Sequence, residues 1–269
     1  MVPVSGTLGT IGGMGSEPAA PDSSTVLGKI MLVLHAYSQD DAVLGFAELM
    51  RRTGLPKGTL HRLLSDLTGA RLVDRTEHGY RLGAHLFELG MRASVERSLI
   101  EVATPFMEDL YVRTGETVHL GVLDGTEVVY LSKIGGHRQA AAPSRIGGRM
   151  PLHCTAIGKT LLAFGGEELQ DNILRTPLVR RTKHTIVAPG RLRTALDKLV
   201  DDGVAYEFEE SAVGIVCVGA PIWEAGANVA AISVTGPSYR FRPQQHATHV
   251  LAAAQNIGNA LARRDELRA

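Results

Sequence analysis

Cysteine is nearly missing from this chain. Cys154 and Cys217 are the only two in 269 residues. Two thiols make no disulfide framework, so a reducing, cytoplasmic compartment is the simplest expectation. No apolar run is long enough to span a bilayer, which predicts no membrane partner. Residues 1–22 contain no Lys or Arg and are rich in Gly, Pro and Ser. That segment lacks the basic start and apolar core of a signal peptide, and its composition predicts a disordered tail. Net charge is absent too: 28 Lys or Arg stand against 28 Asp or Glu. A neutral chain is no general nucleic-acid coat. There is no internal repeat, no phosphate-binding glycine loop and no Gly-x-Ser-x-Gly elbow.

What is present begins at residues 44–82. Leu60, Leu63, Leu64 and Leu67 fall at i, i+3, i+4 and i+7, one apolar stripe of a helix that must lie on something. Gly54 suits the left-handed residue that ends a preceding helix, and Pro56 suits the start of the next. Opposite the leucines stand Gly58, Arg62 and Ser65, flanked by Thr59, His61 and Asp66, with Lys57 at the helix start. Residues 24–36 give an earlier helix, striped by Leu27, Ile30, Met31 and Leu34. Residues 72–75 and 80–82 bracket Thr76-Glu77-His78-Gly79, the pattern of a short hairpin. A leucine-striped helix alone is usually only a surface helix. Helix, tight turn, helix and wing in order make a winged helix-turn-helix, a device for placing one helix in a DNA major groove. Charge agrees locally: residues 51–81 hold seven Lys or Arg against three Asp or Glu. The expected DNA-facing residues are Arg51, Lys57, Gly58, Thr59, His61, Arg62, Ser65 and Arg75. Arg62 suits a guanine edge or a phosphate, and Thr59, Ser65 and the first-turn amides suit phosphates.

Four segments are expected: a tail over 1–22, the winged domain over 23–83, a linker helix over 84–98, and an effector-binding domain over 99–269. The apolar residues of the linker helix suggest dimerisation. Ala103, Phe106, Met107 and Leu110 predict a helix ending near Gly115. Strands are expected over 117–123 and 127–134, joined at Asp124-Gly125, and again over 204–209, 215–222 and 228–235. Residues 143–151 read as a mobile loop. Helices are expected over 156–164, capped by Thr155, over 190–202, and over 243–264. Helices flanking a largely antiparallel sheet define an α+β fold class.

At this point the chain resembles the IclR family of bacterial transcriptional regulators. The match runs over about residues 24–264. It is carried by Thr53-Gly54-Leu55-Pro56-Lys57-Gly58-Thr59-Leu60-His61-Arg62-Leu63-Leu64, by Gly148-Arg149-Met150-Pro151-Leu152-His153-Cys154-Thr155-Ala156-Ile157-Gly158-Lys159, and by Gly214-Ile215-Val216-Cys217-Val218-Gly219-Ala220-Pro221 with Ala231-Ile232-Ser233-Val234-Thr235-Gly236-Pro237. Gly58 departs from the family, which commonly has Ser there. The resemblance implies a winged helix-turn-helix, a linker helix and a GAF-like effector domain. It also implies homodimers or homotetramers on a palindromic double-stranded DNA operator, and a small organic acid as effector.

The resemblance places that effector between the sheet and residues 151–163. A helix starting after Thr155 exposes unpaired amides, a ready carboxylate site. The expected effector residues are Gly121, Met150, Leu152, Ala156, Ile157, Gly158, Cys217, Ser233 and Thr235, with Glu207 or Glu210 at the rim. Each has a plain alternative: Thr155 as a cap, Cys217 as a buried thiol, Ser233 and Thr235 as partners of the backbone. His153 beside Cys154 invites a metal or nucleophile reading. Neighbours on a strand point to opposite faces, and no further ligand lies at useful spacing. No catalytic residue, metal or cofactor is therefore assigned. An enzyme acting near His153 and Cys154 is the rival reading, and a ligand-free architectural DNA binder is a third.

Overall fold

The computed structural model describes residues 22, 24–38, 41–92, 94–136, 140 and 142–266. The tail expected over 1–22 lies, except for Asp22, outside the described residues. The chain divides into two compact units, Met1–Arg97 and Ser98–Ala269.

In the first unit, α1 (Val26–His35) starts where Thr25 accepts a hydrogen bond from the Gly28 amide. Next come α2 (Phe46–Thr53) and α3 (Lys57–Gly69). Gly54 between them adopts φ +67° and its amide closes onto the Met50 carbonyl, a left-handed cap that needs no Cβ. The four leucines of α3 are buried at 4% exposure or less, against Val33, Leu44, Leu49 and Val73. The hairpin follows as β1 (Val73–Thr76) and β2 (Gly79–Leu82), antiparallel, with Thr76 opposite Gly79. Leu44 adds a bridge to Tyr80, tying the segment before α2 to the wing. The helix expected over 84–98 is interrupted. α4 (Ala84–Gly90) ends at a glycine, a poor helix former, and α5 (Ser94–Thr114) starts afresh.

The second unit is built on a six-stranded antiparallel sheet. Its strands are β3 (Thr117–Asp124), β4 (Glu127–Ile134), β5 (Arg149–Pro151), β6 (Ala205–Phe208), β7 (Ile215–Glu224) and β8 (Ala227–Pro237), in the order β5-β4-β3-β8-β7-β6. The period-two pleat sorts each strand between two faces. Val118, Leu120, Val218, Ile222, Ile232 and Val234 pack against α5 and the C-terminal α9 (Ala247–Glu266). Alternate residues face α6 (Ala156–Phe164) and α8 (Pro189–Asp202), where Tyr130, Cys217 and Ala231 meet Ile157, Leu161 and Leu196.

Three sequence expectations need correction here. Residues 143–151 are not simply a mobile loop, because 149–151 pair with β4. A helix missing from the sequence reading, α7 (Glu167–Arg175), follows Gly165-Gly166, with Gly166 at φ +87° and two glutamates in its first turn. The closing helix begins as a 3-10 turn over Pro243–His246 before α9.

Candidate functional site

Two surfaces collect the candidate residues, one in each unit. On α3 the face opposite the leucines is solvent-facing: Lys57, Gly58, His61, Arg62 and Ser65 are exposed and Thr59 is half-buried. Arg75 is exposed on the wing. His61, Ser65 and Arg75 line one groove with Leu64, Thr68 and Tyr80. Among the described residues, Lys57, Arg62 and Arg75 make no ion pair, so their charge is available to an outside anion. Arg51 is different. Its guanidinium is held by Glu48 at 2.6 Å, which neutralises it in the free protein. Among the described residues no side chain caps the first turn of α3, leaving its amides unclaimed by a cap.

The second surface is a narrow, nearly filled cavity between the sheet and the start of α6. Its lining brings together Met150, Ala156, Ile157, Cys217, Ser233 and Thr235 from the sequence expectation. The polar ones meet because of register: His119 lies opposite Ser233 on β8, and Cys217 opposite Thr235, all turned to the α6 side. Four expected residues do not line it. A Cβ on Gly121 would press Val128 and Ile157, so this glycine serves helix-on-sheet packing. A Cβ on Gly158 would stand 2.5 Å from the Leu152 carbonyl, so its smallness lets α6 close on the preceding turn rather than on a ligand. Leu152 is core. Glu207 lies behind Cys217, whose thiol donates to it at 3.0 Å. Neither glutamate forms the rim, since Glu210 is buried in an ion pair with Lys159 at 2.6 Å.

The structure adds His119, Tyr130, Ser144, Thr155 and Ser211 to the lining. His119 was legible, being two residues before Gly121 on the same strand face. Ser144 carried no signal, lying in a run of small residues. It is nonetheless fixed: its hydroxyl is 2.7 Å from His119 Nε2, and Lys133 donates to its carbonyl at 2.9 Å.

Thr155 caps α6 by accepting the Gly158 amide at 2.9 Å. That removes one expected anchor, while the amides of Ala156 and Ile157 have no partner among the described residues. They form a positive helix end at the cavity wall. Burial governs the titrating groups here. It pushes His119 down to about 3, helped by the nearby Lys133 ammonium, and pushes the Cys217 thiol and the Tyr130 hydroxyl well up. The Ser144–His119 pair has the spacing of a nucleophile and its base. An imidazole that resists a proton down to about pH 3 is a weak base at neutrality, so the pair is suited to binding.

His153 and Cys154 lie on a 3-10 turn (Leu152–Cys154), not on a strand. They still diverge: His153 Nε2 donates to the Val179 carbonyl at 3.0 Å, and the Cys154 thiol lies 4.0 Å from the Pro151 carbonyl. Burial raises that thiol to about 12, the reverse of an activated nucleophile. Among the described residues no three His, Cys, Asp or Glu could hold a metal ion.

Comparison with known proteins decides the family. The model of the IclR helix-turn-helix domain matches residues 26–77, and that of the bacterial transcriptional regulator IclR C-terminal domain matches residues 91–263. The chain belongs to the IclR family of transcriptional regulators. The regulator KdgR of Dickeya chrysanthemi is 33% identical over 252 residues, 91% of this chain and 82% of that protein. The regulator XynR of Escherichia coli K12 is 36% identical over 211 residues, 77% and 84%. An IclR homolog from Microbacterium hydrocarbonoxydans, solved with 4-hydroxybenzoate, superposes with a TM-score of 0.83 at 28% identity, covering 87% of this chain and 98% of that one. In IclR terms the helix-turn-helix match contains every candidate DNA contact, and the C-terminal match contains the whole cavity.

Proposed function

We propose that this IclR-family regulator reads a palindromic operator as a homodimer or homotetramer in the cytoplasm, through α3 and the wing. The cavity beneath α6 takes a small organic acid that biases DNA binding, and no residue is catalytic. The observation that carries the reading is α3 itself, with four leucines buried on one side and unpaired Lys57 and Arg62 on the other. Arg62, with Arg75 on the wing, reads base edges or phosphates, while Lys57, Thr59, Ser65 and the first-turn amides fix register on the backbone. Arg51 joins the phosphate contacts only by exchanging Glu48 for DNA. Gly58 allows close approach, and His61 stands at the groove shared with the wing. The acid's carboxylate sits on the amides of Ala156 and Ile157, with Met150, Cys217, Ser233 and Thr235 around its body. The carboxylate bound by the Microbacterium homolog supports that chemistry.

Arg62→Ala is expected to weaken operator binding about tenfold or more in a gel-shift titration and to relax preference at one base position. Lys57→Ala should weaken all sequences alike and lower the salt slope by about one. Unchanged affinity in Arg62→Ala rejects this reading face. For the cavity, small carboxylic acids should raise the melting temperature of the full chain while their methyl esters do not, because the ester gives the α6 amides no anion. Equal shifts by acid and ester would place the carboxylate elsewhere.

A further inference from the structure

A chain of hydrogen bonds runs behind the cavity wall, and its direction has consequences for what the cavity accepts. It starts at Glu207, fully buried, whose Oε1 accepts the amides of Glu210 and Ser211 and whose Oε2 accepts the Cys217 thiol. The two backbone amides can only donate, and with the thiol they hold this carboxyl as an acceptor against the burial that raises its pKa. The thiol proton is thereby committed to Glu207, so the Cys217 sulfur receives from Thr235 Oγ1 at 3.2 Å. A hydroxyl has one proton. Thr235 has spent it on sulfur, so toward His119 Nδ1, 3.3 Å away, its oxygen accepts. Nδ1 of His119 then carries the hydrogen. Burial and Lys133 keep that ring neutral, so Nε2 is bare. Ser144 Oγ lies 2.7 Å from Nε2 and must donate to it.

We propose that Ser144 therefore meets the cavity as an acceptor, and that the effector is a hydroxy acid whose O–H donates to Ser144 Oγ. This rests on the reading of the cavity as the effector site and deepens it. A carboxylate or ether oxygen at Ser144 would face lone pair against lone pair, and a buried acceptor without a donor is costly. An ammonium donor is disfavoured by the Lys133 cation already bonded to the Ser144 carbonyl. Ser144 is thus a specificity-determining residue, with its polarity set four side chains away at Glu207.

Calorimetry on the full chain tests this with paired probes that differ in one donor: 4-hydroxybenzoate against 4-fluorobenzoate, and 3-hydroxypropanoate against 3-fluoropropanoate. The hydroxy member of at least one pair should bind about tenfold tighter. Ser144→Ala should erase the preference while keeping the fluoro affinity, and Ser144→Thr should retain it. Nitrogen-15 NMR of the ligand-free wild type reads the tautomer independently, and should find His119 protonated at Nδ1. Protonation at Nε2, or equal binding within both pairs, overturns the proposal and leaves the effector reading standing. If none of the four acids binds, the hydroxy-acid proposal falls, and the effector reading is decided separately by the melting comparison of acids with their methyl esters.

Discussion

Lys159→Met is expected to lower the stability of the second unit by about 3–5 kcal/mol, the usual cost of removing one partner from a buried pair. Lys159 is 4% exposed and Glu210 is 5% exposed, so removing the cation leaves a carboxylate largely withdrawn from water. Glu210 Oε2 already has no hydrogen-bond partner among the described residues, which leaves the carboxylate wholly dependent on the ammonium at Oε1. Trp223 is the only tryptophan and packs edge-on to Phe164 at the end of α6, 5.0 Å between ring centres. Its fluorescence therefore reports unfolding of this unit alone, and the urea midpoint should fall with an unchanged slope. Adding Glu210→Gln should restore most of the loss, since an unpaired charge costs more than a buried neutral group. A midpoint that does not move would mean that the pair is not buried in solution.

The same variant carries a pH signature through Glu207. Burial raises this carboxyl above its ordinary 4.5, while the Cys217 thiol, the Ser211 amide and, least of the three, the Lys159 charge pull against the rise. Without the lysine it rises further. An acid raised in the folded state favours folding only below its unfolded value, and loses that advantage as pH climbs through the folded value. The deficit of Lys159→Met should therefore be full at neutral pH and shrink as pH falls toward 4.5.

Much of this architecture was legible because it depends on short-range pattern. The leucine stripe of α3, the left-handed glycine at 54 and the Asp124-Gly125 turn each follow from local sterics. The cavity was legible only in part. Cys217, Ser233 and Thr235 announced themselves as small polar residues on otherwise apolar strands. Gly121 and Gly158 announced themselves equally, yet their missing side chains make room for Ile157 and the Leu152 carbonyl. A glycine signals close approach without saying what approaches. Ser144 was invisible because its role comes from a strand 25 residues earlier, through His119. Glu207 and Glu210 could not be told apart, because the distinction depends on a lysine 51 residues away from Glu210. A linker helix over 84–98 and a separate helix through Ala103 and Leu110 were both expected, but the break between them falls just after Gly90, because apolar content says nothing about where a glycine ends a helix.

Gly79→Ala is expected to abolish tight operator binding while leaving the tryptophan-detected midpoint where it is. Gly79 has φ +141°, a region that side chains avoid, and strain of this kind costs about 1–3 kcal/mol. The contact cost adds to it. A Cβ there would lie 2.3 Å from the Leu44 carbonyl oxygen and 2.9 Å from Gly45 Cα, all main chain that no rotamer can move aside. Relief requires opening the bridge in which Leu44 and Tyr80 exchange hydrogen bonds of 2.8 and 2.9 Å. That bridge is what fastens the wing to the segment leading into α2, so the hairpin bearing Arg75 loses its orientation. Gly58→Ala is the contrast. Among the described residues nothing lies within 4 Å of its added methyl, its φ is not left-handed, and alanine in the first turn of a helix stabilises by a fraction of the roughly 1 kcal/mol it gains over glycine in a helix interior. Circular dichroism of the two variants should therefore move in opposite directions on heating. The acid-induced rise in melting temperature should survive in Gly79→Ala, because that unit has its own core. Full operator affinity in Gly79→Ala would show that the wing contributes nothing to DNA binding, and α3 alone would then have to account for it.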